Sequence, residues 1–163
     1  MSLGRKLRRA HRCVAGHAPA DLVTLGMGNP IFEGSNSRGL RRIGASGEIL
    51  TPFDEPYGYV IPGGRHLVVT DLAYYSGFTN PRPPGALAHV VLSILTLSGD
   101  GGSSHTPVFV ATSPFAQNGF IGGNAEMQTG FAVAHGHFLT ATTFDFELVS
   151  TEIFVYGYLT DSK

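Results

Sequence analysis

The chain has little charge, a single cysteine and no tryptophan. Asp, Glu, Lys and Arg make up 14% of its 163 residues, whereas about 25% is usual for a soluble domain. So few charges leave either a surface rich in uncharged Ser, Thr and Gly, or a surface partly buried against other subunits. Composition leaves both open. The single cysteine, Cys13, excludes an intrachain disulfide.

Long apolar segments are also missing. The longest apolar run, residues 87–97, contains His89 and is shorter than the roughly 20 residues that a membrane-spanning helix needs. The basic start GRKLRRAHR is followed by CVAGHAPADLV, which lacks the apolar segment of a signal peptide. The sequence therefore predicts neither a signal peptide nor a transmembrane segment, and no insertion into a membrane.

Charge is unevenly distributed, although the net charge is only −1. Five of the eleven basic residues lie in the first twelve positions, and there is no Lys or Arg between Pro83 and Ser162. A basic tail and an acidic body indicate different roles. The basic tail would form a short helix with leucines along one face. Its residues of interest are Leu3, Arg5, Lys6, Leu7, Arg8, Arg9 and Arg12.

From about residue 48 the sequence is typical of short strands. Segments rich in Val, Ile, Thr, Phe and Tyr alternate with turn sequences such as PGG and SGDGGSS. This pattern predicts an all-β domain over residues 48–163, a sandwich or barrel of about eight antiparallel strands. Residues 1–47 are predicted to form an extended N-terminal arm or linker with at most one short strand. The predicted strands are residues 48–53, 57–62, 66–75, 87–98, 106–112, 127–134, 137–144 and 151–160.

An internal repeat relates two strand–turn–strand segments. GYVIPGGRHLVVT (58–70) aligns without a gap to GFAVAHGHFLTAT (130–142), at a constant offset of 72 residues. Two similar units within one β-domain suggest two related Greek-key halves, as in a jelly roll. The repeated glycines are Gly58 with Gly130, and Gly64 with Gly136.

The repeat also bears on the most conspicuous histidine pair. In a strand, His135 and His137 would share one face and could bind a metal together. The repeat instead places them at turn positions that hold Gly63 and Arg65 in the first copy. We therefore expect exposed turn histidines, with no metal, no cofactor and no catalytic residue.

A cupin-like metalloenzyme is the enzymatic alternative. Cupin sites combine His-x-His with a nearby Glu and a distant His. Here PGGRH, with His66, weakly resembles the second cupin motif, but the two motifs occur in the reverse order along the chain. The first acidic residues after His137 are Asp145 and Glu147, eight and ten residues further on.

Three segments resemble a known pattern. YVIPGGRHLVVTDL, GFAVAHGHFLTATT and VYGYL are similar to small jelly-roll domains of phage and bacterial surface proteins, which resemble tumour-necrosis-factor-like sandwiches. The resemblance covers residues 57–160 and implies a jelly-roll β-sandwich, a trimer and a non-enzymatic role. Ala134 departs from the pattern, because the first copy has Pro62 there.

These features predict a non-catalytic structural or assembly protein, a homotrimer on the surface of a virion or similar particle. It would act as a decoration or fibre component, anchored to other particle proteins through the basic arm. Five charges without interleaved aromatic residues do not favour nucleic acid as the partner. An acidic protein surface would suffice.

A lectin-like module that binds a glycan or receptor is the alternative function. Aromatic rings with Asn on loops can stack on sugars or fill a partner's pocket, although they can equally cap the ends of a sandwich. The candidate contact residues are Tyr74, Tyr75, Phe115, Asn118 and Phe120.

Overall fold

The protein is built from eight β-strands. The computed structural model describes residues 21–30, 36–52, 54–77, 85–114, 120–144 and 151–162, and no α-helix occurs among them. The strands are β1 (Leu22–Pro30), β2 (Ser37–Ile43), β3 (Arg65–Gly77), β4 (Leu87–Leu97), β5 (Ser103–Pro114), β6 (Phe120–Ala134), β7 (His137–Phe144) and β8 (Thr151–Asp161).

All eight strands form one antiparallel sheet in the order β5-β4-β7-β2-β1-β8-β3-β6. The two end strands, β5 and β6, contact each other, so the sheet is nearly closed. The predicted all-β antiparallel class is confirmed. The jelly-roll sandwich stays a prediction. The pairs β1·β8, β2·β7, β3·β6 and β4·β5 favour it, because two interlocked Greek keys produce this pairing.

A single apolar core lies inside the sheet. In β4, Ala88, Val90 and Leu92 are buried at alternate positions, as the two-residue period of a strand requires. All strands except β5 contribute large buried aliphatic or aromatic side chains to this core, whereas β5 contributes Ala111 and the partly buried Val108 and Phe109. The hydroxyl of Tyr74 in β3 contacts Oγ of Ser113 in β5. This contact joins strands that lie far apart in the sheet order, so the sheet wraps around its core.

Residues 22–43 are not an arm. They form β1 and β2, which pair with each other in the middle of the sheet, and Val23, Leu25 and Leu40 are fully buried. The predicted boundary at residue 47 is therefore wrong for these residues, and the sheet begins at Leu22. The basic tail lies outside the described residues.

The first two predicted strands, 48–53 and 57–62, are also wrong. Ile49 forms a single bridge to Ile43, and the Tyr59 amide donates to the carbonyl of Leu40 at 2.7 Å, but neither segment continues as a strand. Pro52 lies within the first segment, Pro62 ends the second, and Pro56 lies between them. Proline has no N–H to donate to a neighbouring strand.

The repeated glycines all have positive φ. Gly58 and Gly130 have φ of 103° and 65°, and Gly64 and Gly136 have φ of 71° and 84°. Side chains other than glycine rarely adopt such positive φ values. The predicted turn at His135–Gly136 is confirmed, because it lies between the end of β6 and the start of β7.

Candidate interaction surface

The structure describes only some of the predicted ligand-contact residues. Tyr74 is only 6% exposed and belongs to the core, so its interpretation as a contact residue is wrong. Tyr75 is 47% exposed but lies on strand β3 rather than on a loop. Phe120 begins β6. Several predicted residues lie outside the described ranges, namely Phe115, Asn118, Leu3, Arg5, Lys6, Leu7, Arg8, Arg9 and Arg12.

His135 and His137, which flank Gly136, bind different partners. His135 is exposed in the turn as predicted, whereas His137 is the first residue of β7 and is partly buried. Nδ1 of His135 donates to the carbonyl oxygen of Ile61 at 2.6 Å, whereas Nδ1 of His137 lies 2.9 Å from the hydroxyl of Thr96. Each ring therefore has its own hydrogen bond to a separate segment. Within the described ranges, no group of three or more His, Cys, Asp or Glu side chains is arranged to hold a metal ion.

Asp100 stabilises a turn. Its carboxylate accepts hydrogen bonds from the hydroxyl of Ser98 and from the amide of Gly102, the latter at 3.0 Å. The bond from Ser98 is the main cause that lowers the pKa of Asp100. These contacts close the β4–β5 connection, so this carboxylate has a structural role.

Arg65, the first residue of β3, forms ion pairs with a residue next to β1 and with one in β8. Its Nη2 donates to Asp21 at 2.6 Å and to the carbonyl of Leu159 at 3.2 Å, and its Nε lies 3.1 Å from Asp161. The hydrogen bond to Asp21 is the main cause that raises the pKa of Arg65. Asp21 precedes β1 and Asp161 ends β8, so this cluster also has a structural role.

Three neighbouring strands among the described residues carry no fixed charge. The neighbouring strands β5, β4 and β7 contain no Asp, Glu, Lys or Arg. In the other described strands, such residues occur on β2, β3, β6 and β8. Surfaces that stay in water normally mix charges of both signs. Strand β1 also lacks such residues, but it lies between the charged strands β2 and β8, so only β5, β4 and β7 form a run of neighbouring described strands without fixed charge.

Strand register places the outward side chains of these strands side by side. His89 lies opposite Thr112 on β5 and Phe144 on β7, and its Nδ1 is 3.0 Å from the Thr112 hydroxyl. The next outward residue of β4, Val91, lies opposite Val110 and Thr142. We call this surface the uncharged face; it consists of Leu87, His89, Val91, Val110, Thr112, Pro114, Thr142 and Phe144.

The uncharged face is open to solvent. Leu87, Val110 and Phe144 are 46%, 54% and 51% exposed. Large apolar side chains grouped in this way mark interaction sites more often than apolar residues scattered singly.

The chain itself covers the other end of the same side. Ser93 and Leu95 continue the outward row of β4, yet they are 4% and 0% exposed. Phe138 lies opposite Leu95, and the ring of Tyr57 lies 5.4 Å from that of Phe138. The segment around Tyr57 therefore protects one end of this side and leaves the uncharged face open.

The outer side of β8 carries a row of aromatic side chains. Ile153 and Val155 are buried in the core, and Phe154, Tyr156 and Tyr158 alternate with them on the outer side, where they are partly buried. Burial is the main cause that raises the pKa of Tyr156, with the negative charge of Asp71 as a second cause. Charged groups lie among this row, in contrast to the uncharged face.

Comparison with known proteins gives no family for the chain. No protein-family model matches it, and no curated protein matches it. None of the described residues belongs to a helix that is long and apolar enough to cross a membrane.

Sequence patterns alone did not single out His89, Val110 or Phe144. The sequence did contain one indication of this face, which is that the last half of the chain has no Lys or Arg before Lys163. Only the order of the strands shows that three uncharged strands are neighbours.

Proposed function

We propose that the protein is a non-catalytic structural subunit that assembles with copies of itself, as a homotrimer on the surface of a virion or similar particle. The open, uncharged face is the observation that carries this proposal. Its exposed apolar side chains and its lack of charge fit a surface that is buried in an assembly.

Burying any one of the exposed apolar side chains favours self-assembly only moderately. Leu87, Val110 and Phe144 are about half exposed, so covering each one contributes on the order of 1 kcal/mol. Loss of translational and rotational freedom opposes association. The neighbouring polar side chains of the face must therefore also be covered, and a closed ring, in which each copy makes two contacts, would be more stable than a pair.

The basic tail is proposed as the anchor to the particle. Within the described residues after residue 85, the fixed charges are all negative, for example Glu126, Glu152 and Asp161. Five positive charges in the tail complement such a surface, either on a neighbouring copy or on another particle protein. The glycan-binding alternative is weaker, since Tyr74 is buried.

Sedimentation equilibrium of the full chain tests the assembly. A homotrimer that persists at micromolar concentration is expected. A monomer at all concentrations up to about 100 µM would overturn the proposal, because interfaces of standard size hold their partners more tightly than this.

A deletion tests the basic tail. Removing residues 1–20 leaves all eight strands and Asp21, so the variant should fold and assemble but fail to join the particle. A full-length control with the five basic residues changed to Gln separates charge from length. Removing residues 1–45 would instead unfold the protein, because β1 and β2 lie within the deleted segment.

DNA binding provides a further check on the tail. A DNA duplex at physiological salt should bind no more tightly than about 10⁻⁶ M, which is typical of non-specific binding. Nanomolar binding would assign the tail to nucleic acid.

A further inference from the structure

Arg38 on β2 has a buried donor atom without an acceptor. The residue is partly buried, and its Nη1 is buried with no hydrogen-bond partner among the described residues. Arg38 lies two residues before Leu40, on the same side of the sheet, and its partner on β7 is Ala141. Both of these neighbours are buried in the core. An unpaired guanidinium nitrogen is unfavourable in such apolar surroundings, so this position requires an acceptor.

Thr143 on β7 is a second polar group without a partner. It is only 1% exposed, and its Oγ1 is buried with no hydrogen-bond partner in the part of the chain that the structure describes. Thr143 follows Ala141 by two residues and therefore lies on the same side of β7. This makes it a diagonal neighbour of Arg38, a relation that a long side chain can bridge. Two unsatisfied donors thus lie within reach of each other on the inner side of the sheet.

The strands nearest to Arg38 supply no carboxylate. Strand β2 lies between β1 and β7, and β4 lies beyond β7. None of these four strands contains Asp or Glu. Arg42, on the same strand, lies instead over the ring of Tyr59. The missing acceptor of Arg38 therefore does not come from its own or its neighbouring strands.

We propose that Arg38 and Thr143 bind a small monocarboxylate. A carboxylate accepts charge-assisted hydrogen bonds from a guanidinium, and its remaining lone pairs can accept one from a hydroxyl. A monovalent anion balances the single charge of Arg38, whereas a divalent anion would leave a negative charge uncompensated in apolar surroundings. Because Arg38 is only partly buried, a small anion can reach it from solvent. This inference goes beyond the proposed self-assembly and does not depend on it.

Urea unfolding in sodium acetate tests the site, in a buffer free of other carboxylates and of phosphate. Acetate that binds only the folded state raises the urea midpoint along a saturation curve. Its four non-hydrogen atoms limit the affinity, and we expect a dissociation constant of about 0.1–10 mM. Sodium chloride and sodium sulfate at equal ionic strength control for general effects of salt. Equal stabilisation by either salt, or no saturable effect of acetate, would overturn the proposal.

Two arginine variants locate the effect. Arg38→Gln removes the charge at the site and should weaken acetate binding at least about 30-fold. Without acetate it should unfold at the same urea concentration as the wild type or a higher one, because it removes an unpaired buried charge. Arg42→Gln removes a charge from the same strand and should leave the dissociation constant for acetate unchanged. Undiminished binding by Arg38→Gln, or equal losses in the two variants, would show that acetate binds elsewhere.

Two threonine variants test the hydroxyl. Thr143→Val keeps the shape of the side chain and should weaken acetate binding about tenfold, because one hydrogen bond to a charged group is lost. Thr140→Val is the control on the same strand, since the Thr140 hydroxyl already donates to the carbonyl of Ser93 at 3.3 Å. Its affinity for acetate should match that of the wild type. Wild-type affinity in Thr143→Val would refute the two-residue site.

Discussion

The four repeated glycines should differ sharply in their tolerance of alanine. Each has positive φ, but their surroundings divide them into two kinds. A Cβ on Gly64 or Gly136 would meet no atom within 4 Å, whereas a Cβ on Gly58 would lie 2.5 Å from the Leu40 carbonyl oxygen. On Gly130 it would lie 2.5 Å from that of Val69. The division follows the repeat, one open and one crowded glycine in each copy.

The expected magnitudes follow from two contributions. A left-handed backbone conformation destabilises the folded state by about 1–2 kcal/mol when the residue is not glycine. Alanine also restricts the unfolded chain, and this stabilises the protein by about 0.4–1 kcal/mol. Gly64→Ala and Gly136→Ala should therefore lower the free energy of unfolding by about 1 kcal/mol. At Gly58 and Gly130 the backbone must also move, since real Cβ atoms stay beyond 3.0 Å. Overpacking of this kind adds about 1–3 kcal/mol.

Urea unfolding followed by far-ultraviolet circular dichroism measures these differences. With a dependence on urea of about 1–3 kcal/mol/M, an extra 2 kcal/mol moves the midpoint by roughly 1 M between the two kinds of variant. Protein concentration must be the same throughout, because assembly contributes to apparent stability. Equal losses at Gly58 and Gly64, or at Gly130 and Gly136, would refute the reasoning.

Three further outcomes are expected. Leu92→Ala, at a fully buried position, should lower the free energy of unfolding by about 2–5 kcal/mol in the same urea assay. Leu97→Ala, at the exposed end of β4, should lower it by less than about 0.5 kcal/mol. Similar losses in the two variants would contradict the proposed core. Burial raises the pKa of Tyr59, so the stability linked to it is complete below the unfolded pKa of about 10 and is lost as pH rises through the higher folded value. Tyr59→Phe should therefore flatten the fall in urea midpoint above about pH 10, and an unchanged slope would count against it. Elemental analysis should find no stoichiometric zinc, iron or manganese, and about one equivalent per chain that is lost in His135→Ala would disprove the turn interpretation.

Sequence reasoning succeeded where local pattern and turn chemistry agree. Strand β7 was predicted over 137–144 and occupies His137–Phe144, and β4 was predicted over 87–98 and occupies Leu87–Leu97. Both segments are rich in β-branched and aliphatic residues, and each follows a turn glycine, Gly85 before β4 and Gly136 before β7. Such signals act over a few residues, so they can be read without knowledge of the fold.

Strand β2 was missed because a distant contact decides it. In SRGLRRI, Arg42 lies on the same side of the sheet as the buried Leu25, which is opposite it. Its guanidinium lies over the ring of Tyr59, 5.7 Å from the centroid. The aromatic ring accommodates the charge near the core, and no local pattern predicts that partner.

The uncharged face also depends on contacts between residues that are distant in the sequence. It requires β4 to lie between β5, its neighbour along the chain, and β7, which follows about 40 residues later. Composition left open both a surface buried between subunits and an uncharged polar surface, and it could not locate either.

The position of β8 has a consequence for synthesis on the ribosome. This strand lies between β1 and β3. It pairs with β3 along its whole length and with β1 over residues 154–158. About 120 residues separate the end of β1 from the start of β8, which take roughly 6–24 s to translate at 5–20 residues per second. During that time the nascent chain exposes two bare strand edges, which are templates for wrong pairing. Slower translation or premature termination before residue 151 should therefore yield aggregates, and expression at low temperature with a chaperone bound to the nascent chain should favour the native sheet.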